Sequence, residues 1–155
     1  MIKYTTLESL TWDMESDFVE MGRLAFEESQ FHETVTFDPD KLIEIARSHV
    51  HDEGKVLHIA EDNGVVVGVF AGYKSSFYFS SDILCRDVLW FVRKEYRETG
   101  VGLVLLGMFE DWSKGQGTDV IWLIQDSGVD TDKFSRILGK RGYSFVGANY
   151  SLGVS

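Results

Sequence analysis

The chain has 155 residues, 44% hydrophobic and 26% charged, which suits one domain over residues 1–155 and excludes a disordered tail, a collagen-like rod or a disulfide scaffold. Asp and Glu outnumber Lys and Arg by 25 to 15, a net charge of −10, which argues against a surface that grips nucleic acid but suits a cationic or amine-bearing substrate. The single cysteine, Cys85, rules out an intramolecular disulfide, no apolar run reaches the ~18 residues of a membrane span, and Met1 to Thr6 lack a signal-peptide core, so the expectation is a soluble cytoplasmic protein with no membrane partner.

In chain order, residues 2–7 read as an edge strand. Thr11 or Asp13 can cap a helix over 13–28, with Met14, Phe18, Met21 and Ala25 on one face. Residues 28–34 lose that period and read as a loop. Asp38-Pro39 is a helix start, with Asp as N-cap and Pro in the first turn. Its buried stripe is either Leu42, Ile45, Ala46 and His49 or Ile43, Ala46 and Val50, and it ends near 52–54. Strands over 55–62 and 65–73 flank Asn63-Gly64, a strong hairpin signal. A Ser- and aromatic-rich loop leads to a third long strand over 83–92. After a polar loop, 100–114 is helical, with Leu105, Leu106, Phe109 and Trp112 on one side. Residues 119–124 predict a short strand of the buried kind. Asp130 or Thr131 caps a helix over 131–141, and 143–154 holds one bent strand or two short ones. The order β-α-α-β-β-β-α-β-α-β predicts an α+β fold, a mostly antiparallel sheet with helices on both faces.

The chemistry concentrates where the third long strand runs through Arg93 to Thr99 into Gly100-Val101-Gly102 and a helix. The first turn of a helix has unpaired N–H groups and partial positive charge, glycines admit an anion to the backbone, and Arg97 can add a charge-assisted contact. No Walker loop, Gly-x-Ser-x-Gly elbow or His-Glu-x-x-His site occurs. His49 and His51 fit a helix C-terminus better than a metal site, and His58 and Cys85 read as buried strand residues, so no metal is expected.

Phe91-Val92-x-x-x-Tyr96-Arg97-x-x-Gly100-x-Gly102 resembles the acyl-CoA-binding signature of the GNAT superfamily of N-acetyltransferases. Phe134 to Gly142-Tyr143 resembles the family's helix ending in Gly-Phe or Gly-Tyr. Glu27-Glu28-Ser29 and Trp112-Ser113-Lys114-Gly115-Gln116-Gly117 look like small bacterial and phage members. The resemblance implies acetyl-CoA as cosubstrate, with its pyrophosphate at Arg97, Glu98, Thr99, Gly100, Val101 and Gly102 and its pantetheine arm along the backbone of Phe91 and Val92. It implies transfer to a primary amine of a small molecule or a peptide, and a homodimer through the last strand as one option. Two positions depart from the family: Glu98 stands where Gly is frequent, and Leu138 where many members have a Tyr acid.

An amine must be neutral to attack a thioester, so a base must take its proton. Simple alternation puts Asp87 on one face with Leu89 and Phe91. Asp87 is therefore either the general base or a strand-end carboxylate paired with Arg86 or another neighbour. Glu28 and Ser29 fall in the loop resembling the family's substrate side, against the alternative of a solvated loop. Tyr78 and Phe79 either line the acceptor pocket or pack. Tyr150 and Tyr143 are alternative proton donors, against plain strand aromatics, and the N–H of Val92 is the expected oxyanion donor. The competing reading is a catalytically weak or inactive interaction protein on the same fold, with an acidic surface.

Overall fold

The computed structural model describes residues 1–154. Five strands, β1 (Ile2–Thr6), β2 (Lys55–Asp62), β3 (Val65–Ser76), β4 (Ile83–Val92) and β5 (Val120–Trp122), lie in the order β1-β2-β3-β4-β5. The first four are antiparallel and β5 runs parallel to β4. The helices are α1 (Trp12–Glu28), α2 (Pro39–His51), α3 (Val101–Gly115) and α4 (Thr131–Lys140). Among the described residues no helix is long and apolar enough to cross a membrane.

Local chemistry sets most of these boundaries. Thr11 caps α1 by accepting from the Met14 N–H at 3.3 Å, and Asp38 caps α2 by accepting from the N–H groups of Asp40 and Lys41 at 3.0 and 3.1 Å. Asn63 and Gly64 take φ of +51° and +81°, the left-handed pair that a tight two-residue hairpin needs.

Two cores sandwich the sheet. Phe18 and Met21 from α1 and Ile43, Ala46 and Val50 from α2 cover one face, which selects the second of the two stripes read for α2. Leu105, Leu106 and Phe109 of α3 cover the other, with Leu138 from α4. Phe109 is fully buried and stacks on Phe70 of β3 with centroids 4.5 Å apart.

The C-terminal third corrects two expectations. Residues 143–154 form no strand: after Gly142 (φ +94°) the chain enters no ladder, and beyond Tyr143 it is exposed. The segment has two glycines and three serine or asparagine residues among twelve against five Tyr, Phe or Val, so its composition does not decide between strand and coil. Without a sixth strand, β5 is the sheet edge, so it is three residues long and half-exposed rather than buried. Phe109→Ala should cost about 3–5 kcal/mol of stability, from lost transfer energy and a residual cavity; urea denaturation at constant m-value measures it.

Candidate active site

The site originates where two strands part. β5 pairs with β4 only at Leu84, Cys85 and Arg86. β4 then continues to Val92 with one edge uncovered, while the chain after Trp122 turns away. The carboxylate of Asp87, the first residue past the pairing, accepts a hydrogen bond from the Ile124 N–H at 2.8 Å and pins the point of divergence. The gap is a cleft of about 390 Å³. Residues 87–92 form one wall and 124–127 the other; the end of α1, Arg97 and Phe134 complete it.

Register determines which backbone groups face this gap. The Arg93 N–H donates to the Val67 carbonyl at 2.9 Å, so by antiparallel alternation Phe91 and Leu89 also turn their polar groups toward β3. Trp90 and Val92 turn theirs to the open edge. This corrects the expectation that the Phe91 backbone joins Val92 in meeting a ligand; the Phe91 ring lines the cleft instead. Ala71 pairs with Leu89 and Gly72 with Asp87, which leaves Val88 as an extra, unpaired residue. That bulge breaks the alternation that linked Asp87 to Phe91: Cys85 belongs to the α3 core, Leu89 and Phe91 to the opposite one.

Asp87 makes no ion pair with Arg86 among the described residues; Arg86 lies over the Tyr73 ring instead, 6.0 Å from its centroid. Burial pushes the Asp87 carboxyl up to about 6, with the Asp126 carboxylate adding to the rise and the Ile124 N–H opposing it. Val92 lies five residues along β4, about 16 Å at ~3.3 Å per residue. Its amide and the Asp87 carboxylate therefore cannot both reach one carbonyl directly. The Trp90 N–H, nearer Asp87, faces the open edge by the same alternation.

At the far end of β4 the glycine turn opens α3. Gly100 has φ +90°, no side chain caps the helix, and its first turn carries no acid. A Cβ at Gly102 would meet Trp90 and Val92 at ordinary contact distances of 3.5–3.6 Å, so packing does not demand this glycine. Glu98 takes φ +68° and its carboxylate pairs with Lys133 of α4 at 3.0 Å, partly neutralised where an anion would approach. The Thr99 hydroxyl donates to the Tyr96 carbonyl and Val101 is buried, so these two shape the turn. Arg97 donates from Nε to the Val92 carbonyl at 2.9 Å and pairs with Glu28 at 2.7 Å.

Of the other candidates, Glu28 and Ser29 both line the cleft, and Ser29 is buried with its hydroxyl engaged, accepting from the Phe31 N–H and donating to the Phe26 carbonyl. Tyr150 is 95% exposed on the terminal segment and lines no part of the cleft, so it is no proton donor there. The Tyr143 hydroxyl donates to Glu110 at 2.9 Å; burial and that carboxylate push its pKa up, which suits a structural strut. Tyr78 and Phe79 sit exposed on the β3–β4 connection, away from the cleft, and Leu138 is buried in the α3 core. Among the described residues no three His, Cys, Asp or Glu side chains group as a metal site.

Sequence reasoning missed the opposite wall, Gln125, Asp126, Ser127 and Asp130. The Gln30 side chain and backbone donate to the carbonyls of Asp126 and Ser127, at 2.5 and 2.9 Å, and tie this wall to the end of α1. The available signal was a polar loop immediately after an apolar strand.

The sequence profile of the acetyltransferase (GNAT) family matches residues 11–139. The chain belongs to the GNAT acetyltransferase family. By that membership it is an acetyl-CoA-dependent acyltransferase. No curated protein sequence matches at a significant level. Solved GNAT structures share the fold. An aminoglycoside acetyltransferase, AAC(6')-Iy, in complex with a bisubstrate analogue of CoA and acetylneamine has a TM-score of 0.75 at 11% identity, covering 98% of this chain and 97% of that one. A predicted acetyltransferase from Clostridium acetobutylicum with acetyl-CoA gives 0.74 at 16%, covering 98% and 96%. The aminoglycoside acetyltransferase HMB0005 from an uncultured soil metagenomic sample gives 0.72 at 16%, covering 100% and 99%.

The uncapped amides opening α3 offer a seat for an anion such as a pyrophosphate. Gly102→Asp puts a carboxylate at that seat while leaving ordinary packing room. It should weaken CoA binding at least tenfold in calorimetry without lowering the urea midpoint appreciably.

Proposed function

We propose that this enzyme moves the acetyl group of acetyl-CoA to a primary amine of a small cationic molecule by direct attack, with Asp87 as general base. The observation that carries the reading is a half-buried carboxylate of pKa about 6 at the inner end of an open strand edge. The edge groups of Trp90 and Val92 can pair with the amides of the pantetheine arm as an added strand would. The pyrophosphate then reaches Gly100 to Gly102, with Arg97 as its cation, and the thioester lies deeper, near the bulge at Val88.

A free alkylamine has a pKa near ~10, so direct transfer of its proton to a carboxylate at about 6 costs about 5.5 kcal/mol. Desolvation between Phe26, Trp90 and Phe134 lowers that cost by disfavouring the ammonium. The ammonium proton leaves to water before attack; once the neutral nitrogen has bonded to the carbonyl carbon it is a strongly acidic positively charged NH2 group, and Asp87, still ionised, accepts one of its protons. The tetrahedral oxyanion returns its electron pair and expels the CoA thiolate. No Tyr, His or Cys lines the cleft among the described residues. Protonated Asp87, the stronger acid, can pass the proton to the thiolate, which accounts for Leu138 standing in the buried core where many members carry a Tyr acid.

The acceptor's charge follows from the walls. Glu28, Asp87, Asp126 and Asp130 line the cleft and Arg97 is the one cationic residue lining it among those described. Such a cleft favours an acceptor with several ammonium groups over an anionic amine. The aminoglycoside acetyltransferases among the structural neighbours support the same class.

Acetylation of kanamycin, spermidine and glutamate, followed by CoA release, tests this: turnover of either polycation with none of glutamate is expected, and turnover of glutamate alone overturns it. For the active acceptor, kcat/KM should fall as pH drops through about 6, because the base must be ionised and burial raises its pKa. Asp87→Asn should lower kcat/KM by about 10²–10⁴ and abolish that acid limb.

A further inference from the structure

Arg97 is held back across the mouth of the cleft by three contacts. Its Nε donates to the Val92 carbonyl at 2.9 Å, its Nη2 reaches Glu28 at 2.7 Å, and its guanidinium lies over the Phe91 ring, 5.3 Å from the centroid. The Arg97 and Glu28 side chains are 27% and 31% exposed, so the pair is shielded more than a surface ion pair. One of these contacts uses the carbonyl that an added strand would need at the outer end of the open edge.

The two partners differ in freedom. Glu28 is the last residue of α1, and the chain behind it is fixed: Ser29 caps the following turn, and Gln30 bonds both Asp126 and Ser127 across the cleft. Arg97 sits in the loop between β4 and α3, three residues before the uncapped helix start. An anion at that helix start therefore competes with Glu28 for one guanidinium. If Arg97 leaves, Glu28 stays in the wall as a partly buried carboxylate with no counter-ion, a costly state that a cation relieves.

We propose that Arg97 and Glu28 form a shared ion pair coupling the two substrate sites: the cosubstrate's pyrophosphate draws Arg97 away, and the exposed Glu28 carboxylate then receives an ammonium group of the acceptor. This rests on the acetyltransferase reading with a cationic acceptor. Glu28 is a recognition residue here, not the base. Coupling between binding sites is reciprocal, so bound amine also favours CoA by the same factor. The coupling makes CoA-first binding productive, since an acceptor arriving first meets a carboxylate already occupied.

Titration of CoA alone by calorimetry tests the competition. Glu28→Gln frees Arg97 and should tighten CoA binding about tenfold, within the range usual for coupled sites. Glu28→Asp, which keeps the charge but shortens the reach, should give a smaller gain. In an Arg97→Gln background Glu28→Gln should change CoA affinity by less than twofold, since the pair is already broken. In steady state the acceptor's KM should rise about tenfold in Glu28→Gln while that of acetyl-CoA falls; a merely structural role would not move the two in opposite directions. Unchanged or weaker CoA binding by Glu28→Gln, with wild-type binding intact, overturns the coupling alone. Absence of CoA binding in the wild type overturns the acetyltransferase reading and the coupling with it.

Discussion

The parting of β4 and β5 after Arg86 is the constraint on which the site depends. A sheet normally satisfies both edges of an inner strand. Here β4 leaves one edge unpaired from Asp87 onward. The Asp87 carboxylate takes up the first stray donor of the departing chain, Ile124 N–H, and so fixes both the separation and its own burial. The bulge at Val88 adds a local twist at the same point. One residue thus holds the cleft open and carries the raised pKa that makes it a candidate base.

Charge is distributed unevenly around that opening. The outer end offers the bare amides of α3 and one arginine, which suits an anion. The inner end and the far wall are acidic. In the proposed reaction, a cleft positive at one end and negative at the other would orient an anionic cosubstrate and a cationic acceptor toward each other. Glu98 is the local exception, and its pairing with Lys133 limits its effect on the anion end.

How much was legible in the sequence follows from the range of the forces involved. The caps at Thr11 and Asp38, the Asn63-Gly64 hairpin and the glycine turn before α3 rest on residues within four positions of one another, and each stands where the pattern put it. Asp87 and Phe91 both line the cleft, but not through simple alternation, because the bulge at Val88 arises from pairing with Ala71 and Gly72 and not from the strand's own pattern. Tyr150 looked usable because a tyrosine near the chain end can reach anywhere on paper; the segment that carries it joins no ladder.

The sequence by itself determined the element types, the apolar faces, the family signature and the anion-binding turn, since propensity, periodicity and capping are short-range properties of the chain. The tertiary structure alone decided that β5 stops after three residues, that Asp126 and Asp130 face Asp87 across a gap, and that Arg97 meets Glu28. Those relations join residues 36 to 69 positions apart, and no local energy term records them; they exist because the sheet's order and the clamp between Gln30 and the wall after β5 bring distant segments together.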